Sequence, residues 1–270
     1  MIEVGKTEYK RIAQLIEADI EKCLYIYMNL VNYERENSSI SVFVDDDKEL
    51  NVIIVEYHNS FQVYEREVCS QKITEEIVDL IMARSPQMIA GTNSLIEKLK
   101  TYLDEYVYKN GGIFLEDKYR TFPDNGMVRG AEIEDAMEIA RLISSNKGIG
   151  SHYEILDLAN QIEQRIKKKT GRSYIIKADG RIVAHTATYA QTDKYVVVSG
   201  TIIDSRYREK NYYLILSNYM IRKLTEEGIK AYTLAINEKM YKYHKKVHLM
   251  VGTYARLTRK GDKYHEGKNY

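Results

Sequence analysis

At 270 residues, with 44% hydrophobic and 29% charged side chains, the chain has globular composition and length for one large domain or two modest ones. Forty basic side chains against thirty-nine acidic ones leave a net charge of +1, which argues against a dedicated nucleic-acid binder or a membrane-surface protein. Apolar runs such as 52–55 and 196–198 fall far short of the roughly 20 residues a bilayer-spanning helix needs. Glu3, Lys6, Glu8, Lys10 and Arg11 interrupt the place where a signal peptide's apolar stretch would lie, so no membrane partner and a cytoplasmic location are expected.

Taken in chain order, residues 9–34 read as a long helical stretch broken near Ala18-Asp19, with Ile12, Leu15, Ile16 and Ile20 at helical spacing. Strand-like runs follow at 41–44, 51–57 and 61–64, separated by the turn-like Asp45-Asp46-Asp47-Lys48 and His58-Asn59-Ser60, which predicts an antiparallel meander. Next come a helix over 74–84, a strand around 88–90, a helix over 94–108 and a strand at 112–115. Pro123, in the turn-forming run Thr121 to Gly126, marks the expected domain boundary. Beyond it the order repeats: a strand at 127–129, helices over 133–143 and 153–169, and three strands at 173–177, 182–189 and 195–203. A helix over 211–227 with Gly228 at its C-terminal cap, a strand at 232–236, a helix at 238–247 and a strand at 249–257 complete it. Helices, three-strand meander, helix, strand, helix, strand thus occurs twice, as a duplicated α/β unit would.

Several chemistries lack their signatures. Gly5-Lys6-Thr7 has no glycine five residues before it and is not a phosphate loop. Gly148-Ile149-Gly150 follows a helix instead of a strand and reads as a loop. No Gly-x-Ser-x-Gly elbow occurs. Cys23 and Cys69, in a predicted helix and strand without paired spacing, read as buried free thiols. His244 and His248 stand four apart on or just past a helix, a spacing that can present two imidazoles to a metal, but with no carboxylate beside the pair no metal site is expected. The 24 tyrosines fit half-exposed sheet faces as readily as a binding surface. The seven Lys or Arg residues from Asn237 to Lys260 read as a solvated face, with contact to the phosphates of a nucleotide or of RNA as the alternative.

One stretch carries a resemblance. Ser199 through Tyr213 is an apolar strand entering a short turn and then a helix, with Arg208, Asn211 and Tyr213 in register with the Q/R-x-x-G-x-G/A signature of the GNAT N-acetyltransferases. Asn237 through Leu249 is similar to a second family segment, N-x-x-A-x-x-x-Y-x-K-x-G-F; Asn237 and Lys246 match, whereas Met240, His244, His248 and Leu249 replace Ala, Tyr, Gly and Phe. The resemblance implies an α/β fold (an α+β mixed sheet) of two tandem GNAT-like domains, each a mostly antiparallel mixed sheet flanked by helices: a divergent copy at 1–122 and an acetyltransferase domain at 125–270. Physically, a strand-turn-helix aims unpaired N–H groups and the positive end of the helix dipole at one point, where a pyrophosphate fits. Asn211 tolerates a left-handed backbone, whereas the Tyr213 ring replaces a residue whose smallness lets phosphate approach.

The resemblance further implies acetyl-CoA as acyl donor. Thr201, Ile202 and Ile203 would line its pantetheine arm, and Arg208, Glu209, Lys210, Asn211, Tyr212, Tyr213 and Asn237 would complete its site. His244 stands where the family places the tyrosine that protonates the departing thiolate, with Tyr243 and Tyr241 as substitutes; no base can be named, since the strand glutamate of some members falls near Val197. The expected reaction transfers an acetyl group to a primary amine of a small molecule or peptide, with no nucleic-acid partner. The alternative is a catalytically degenerate binding or regulatory module of the same fold.

Overall fold

In the computed structural model, residues 1–36, 40–46, 50–117, 126–146 and 154–261 are described, without the side chains of 35, 36, 199 and 200. In chain order the elements are β1 (Ile2–Val4), α1 (Tyr9–Ile16), α2 (Ile20–Glu36), β2 (Ile40–Val44), β3 (Val52–Tyr57), β4 (Ser60–Glu65), α3 (Gln71–Arg84), β5 (Met88–Gly91), α4 (Asn93–Lys100) and β6 (Tyr106–Leu115). They continue with β7 (Val128–Gly130), α5 (Ala136–Ser144), α6 (Ile155–Lys168), β8 (Ser173–Ala178), β9 (Arg181–Gln191), β10 (Tyr195–Ile203), α7 (Tyr212–Glu226), β11 (Lys230–Ala235), α8 (Glu238–Val247) and β12 (Leu249–Arg259). The expected repeat is present, and each copy opens on a short strand, β1 or β7. No described helix is long and apolar enough to cross a membrane.

The chain divides into two compact units that do not follow a single cut. One comprises 1–113, 234–242 and 250–261 among the described residues; the other comprises 114–233 and 243–249. The expected boundary between 122 and 125 and the Gly148–Gly150 loop lie outside the described residues. In the first unit the strand order is β1-β2-β3-β4-β5-β12, antiparallel except for the parallel pair β4–β5. Its core joins Val52, Ile54, Phe61 and Val63 of the sheet to Ile77 and Ile81 of α3 and Leu95, Ile96 and Leu99 of α4, all under 2% exposed.

In the second unit β7-β8-β9-β10-β11 is antiparallel except for the parallel pair β10–β11. Strand alternation sends Tyr174 and Ile176 to a layer with α7, through Leu216, Met220 and Leu224, while Ile175 and Ile182 meet α5 and α6 on the other face. The sheet is therefore covered on both faces, which explains why its strands read as nearly continuous apolar runs.

Two expectations change. The helix expected over 94–108 stops at Lys100, and β6 begins at Tyr106. Leu99, Leu103 and Tyr106 are all buried and their spacing imitates a helical face, but Thr101 turns its hydroxyl onto the Lys98 carbonyl at 2.8 Å and short turns follow at Leu103 and Tyr106. Cys69 lies in the connection between β4 and α3 instead of a strand, although both cysteines are buried and free as expected. The long N-terminal helical stretch is interrupted at Glu17–Asp19, where it was expected to break.

Candidate active site

Strands β10 and β11 pair only at Tyr195↔Lys230, Val196↔Ala231 and Val197↔Tyr232, while β10 runs on to Ile203. On its other edge β10 shifts register against β9 between Ser199 and Ile202. That irregularity marks a bulge, which bends a strand away from its neighbour. Past Val197, therefore, β10 has no ladder pair with β11 among the described residues, although the Val198 carbonyl still accepts the Thr233 hydroxyl at 3.4 Å. The repeat in the first unit differs, because β4 and β5 stay paired as far as Val63↔Gly91, and the Glu65 carboxylate accepts the Cys69 N–H at 3.1 Å in the turn that follows.

After β10 the chain makes a 3-10 turn at Ser205–Lys210, capped by Asp204, whose carboxylate accepts the Arg206 N–H at 3.0 Å. Asn211 then adopts a left-handed backbone, φ 57° and ψ 18°, and α7 starts with no side-chain cap. The first intrahelical bond runs from the Ile215 N–H to the Asn211 carbonyl, so the N–H groups of Tyr212, Tyr213 and Leu214 have no acceptor within the helix. Arg208, Glu209, Lys210 and Asn211 are exposed around this terminus, and Tyr212 stacks on Tyr207 with ring centroids 6.2 Å apart. The arrangement is an amide cup suited to an anion.

A cavity of about 560 Å³ lies between α7 and α8, lined on one side by Tyr213, Leu214, Ser217 and Asn218 and on the other by Tyr243, Lys246 and His248. Tyr213 turns its ring into this cavity, edge-on to Tyr243 at 5.9 Å. Burial pushes the Tyr213 phenol well above its ordinary range, so it holds its proton. Glu116, just past β6, also lines the cavity. Its N–H donates to the Ala231 carbonyl at 2.8 Å, its carboxyl accepts the Thr233 hydroxyl, and it is 6% exposed. Burial raises its pKa to about 7, opposed by the Thr233 hydrogen bond.

His244 is 3% exposed, packed between Phe114 at 5.6 Å and His248 at 5.4 Å between ring centroids. Burial first, and then the neighbouring His248, lower its pKa to about 4. Its Nδ1 stands 3.7 Å from a Glu116 carboxyl oxygen. Because desolvation pushes both groups toward their neutral forms, this contact is not a stable ion pair.

Residues 116–243 match the family model described as an acetyltransferase (GNAT) domain. This segment is a GNAT domain. No curated protein matches the sequence. Among solved structures, an acetyltransferase from the GNAT family of Colwellia psychrerythraea is similar over 96% of this chain and 99% of its own, at 11% identity and a TM-score of 0.61. A tandem GNAT protein from the clavulanic acid biosynthesis pathway is similar over 95% of this chain and 97% of its own, at 10% identity and a TM-score of 0.58. A GCN5-related N-acetyltransferase from Kribbella flavida covers 78% of this chain and 88% of its own, at 16% identity and a TM-score of 0.55. These likenesses are of fold, and the chain has the α/β fold of two tandem GNAT-like domains.

The residues singled out from sequence fall into four groups. Thr201 and Ile203 are half-buried, and Ile202 sends its side chain into the core with α5 and α6, leaving only backbone from that position to face a ligand. Arg208 to Tyr213 sit at the amide cup, with the Tyr213 ring in the cavity instead. Tyr243 lines the cavity and His244 is buried beside Glu116, a neutral imidazole near pH 7 and therefore not the imidazolium acid the sequence suggested. Asn237 is grouped with the first unit, where its side-chain oxygen caps α8 by accepting the Lys239 N–H at 2.9 Å and the Met240 N–H at 3.2 Å. Tyr241, also of that unit, donates its hydroxyl to the Met250 sulfur at 3.6 Å and does not line the cavity.

Glu116 and Thr233 were not found from sequence. Nothing local distinguishes Glu116 from any acid ending a strand, and its partner Thr233 is 117 positions away. Its carboxyl also removes the ground on which a metal was set aside, since a carboxylate does stand beside the histidine pair.

Proposed function

We propose that the GNAT domain is an acyl-CoA-dependent N-acetyltransferase acting on a primary amine of a small molecule or peptide, with acetyl-CoA as donor. One observation carries this reading: a buried carboxyl, Glu116, with a pKa near neutrality, at a cavity of suitable size between α7 and α8. The donor's diphosphate would take the N–H groups at the start of α7 with Arg208 beside them, and its pantetheine arm would follow the backbone of Thr201, Ile202 and Ile203.

In this reaction the amine nitrogen attacks the thioester carbonyl carbon, the carbon–sulfur bond breaks, and the thiolate of CoA departs. Glu116 accepts the proton lost by the amine, which fills the role of base. The thiolate recovers a proton from a phenol of the Tyr213–Tyr243 pair, with Tyr243 as the donor on α8 and Tyr213 kept protonated by burial. His244 contributes packing and a neutral imidazole beside Glu116.

A degenerate binding module is the second reading, favoured by the Tyr213 ring standing in the cavity where the family has a small side chain. Isothermal titration of the full chain with acetyl-CoA, followed by thiol release against a panel of primary amines, separates the two. Saturable binding with thiol release supports the enzyme; binding without release on any amine supports the module; no binding at millimolar acetyl-CoA removes the enzyme and leaves the module.

A further inference from the structure

His244 has a buried ring nitrogen without a hydrogen bond. Its Nδ1 is enclosed, the side chain is 4% exposed, and a Glu116 carboxyl oxygen stands 3.7 Å away. One turn later, in the bend just past α8, His248 lays its ring over His244, the planes 29° apart. One ligand atom from each of Glu116, His244 and His248 lies within 4.8 Å of the others. Burying the His244 ring nitrogen without a hydrogen bond is unfavourable unless something satisfies it, and a cation held jointly with Glu116 and His248 does so.

We propose that Glu116, His244 and His248 form a binding site for a divalent transition-metal ion of the Zn²⁺ kind, at the cavity between α7 and α8. Two imidazole nitrogens and one carboxylate oxygen suit zinc, cobalt or nickel, whereas calcium and magnesium call for oxygen donors alone. The His248 N–H donates to the His244 carbonyl at 2.8 Å, so the i, i+4 spacing keeps a helical turn at the end of α8 and brings both rings to one side. Tetrahedral coordination at about 2.0–2.2 Å brings donors to roughly 3.4 Å apart. The Glu116–His244 contact is already close to that separation, and rotation of the half-buried His248 closes the rest. The Thr233 hydroxyl on Glu116 supplies an outer hydrogen bond of the kind that orients a ligating carboxylate. Because Glu116 and His248 both line the cavity, a fourth coordination position opens into it.

If the acetyltransferase reading holds, an ion here takes Glu116 out of proton transfer, so it inhibits acetylation instead of promoting it; that consequence rests on the reading above, whereas binding itself does not. The test titrates the full chain, stripped with a chelator and dialysed, with Co²⁺ followed by visible absorption, and with Zn²⁺ by calorimetry. One equivalent is expected with the absorption of tetrahedral cobalt. His248→Ala should weaken binding at least about a hundredfold, since loss of an outer partner alone costs about ten- to a hundredfold. Glu116→Gln should weaken it as well, each variant being checked for native circular dichroism. Absence of saturable binding by the parent chain, or parental affinity in a folded His248→Ala chain, overturns the site even if Glu116→Gln does not fold. Acetyl-CoA binding by the metal-free chain is measured separately, so either idea can fail alone.

Discussion

Replacing Glu116 with glutamine isolates the consequence of burying its carboxyl. Folding moves this group from an ordinary pKa of 4.5 to about 7, through burial, with the Thr233 hydroxyl pulling the other way. Each pKa unit is worth about 1.4 kcal/mol, so the ionised form costs the folded chain about 3 kcal/mol relative to the unfolded one. The sign follows from proton binding: between the two pKa values the folded state holds the proton and the unfolded state does not, so stability is complete below the unfolded value and is lost as pH rises through about 7. Glutamine has a similar shape, can still accept from Thr233, and has no proton to lose. The difference in unfolding free energy, variant minus parent, should be small near about pH 5 and climb toward about 3 kcal/mol near about pH 9. In thermal melts of the chelated protein that is roughly 5–10 °C in favour of the variant at the alkaline end. The same substitution should lower amine acetylation about a hundredfold or more, because the proton acceptor is gone. Parallel stability–pH curves for the two proteins from about pH 5 to 9 would refute the buried carboxyl and the near-neutral base together.

Arg208→Ala should weaken acetyl-CoA binding about tenfold, and by less as salt is raised, because the residue is exposed beside the start of α7; an unchanged dissociation constant at low salt would remove it from the phosphate site. Asn211→Ala should lower stability by about 1–2 kcal/mol in urea titrations while Asn211→Gly does not, since φ is 57° there; equal loss in both would mean that the side chain matters more than the backbone. In the first unit, a Cβ at Gly91 would come within 2.2 Å of the Val63 carbonyl oxygen, so Gly91→Ala should cost about 1–3 kcal/mol by forcing β4 and β5 apart, and an unaltered denaturation midpoint would contradict the closeness of that pair.

Where information is local, the sequence alone was sufficient. The 3.6-residue and two-residue periods of apolar side chains located the duplicated order of elements, with β10 at 195–203 and α8 at 238–247 matching the expected spans. The turn into α7 was legible because Asn211 is one of the few residue types that accept a left-handed backbone, and the structure uses it so. Periodicity failed where burial imitated it, at Leu99, Leu103 and Tyr106, since spacing records which side chains are covered and not whether one helix covers them. The i, i+4 histidines were visible in the chain, but their carboxyl neighbour was not. Only the tertiary fold sets Glu116 against Thr233, 117 positions on, and beside His244, because strand ends meet through ladder pairing that leaves no short-range pattern. The chemical character of the cavity depends on that meeting. Burial, which no single residue carries in its name, makes the carboxyl a near-neutral acid and the imidazole a neutral base.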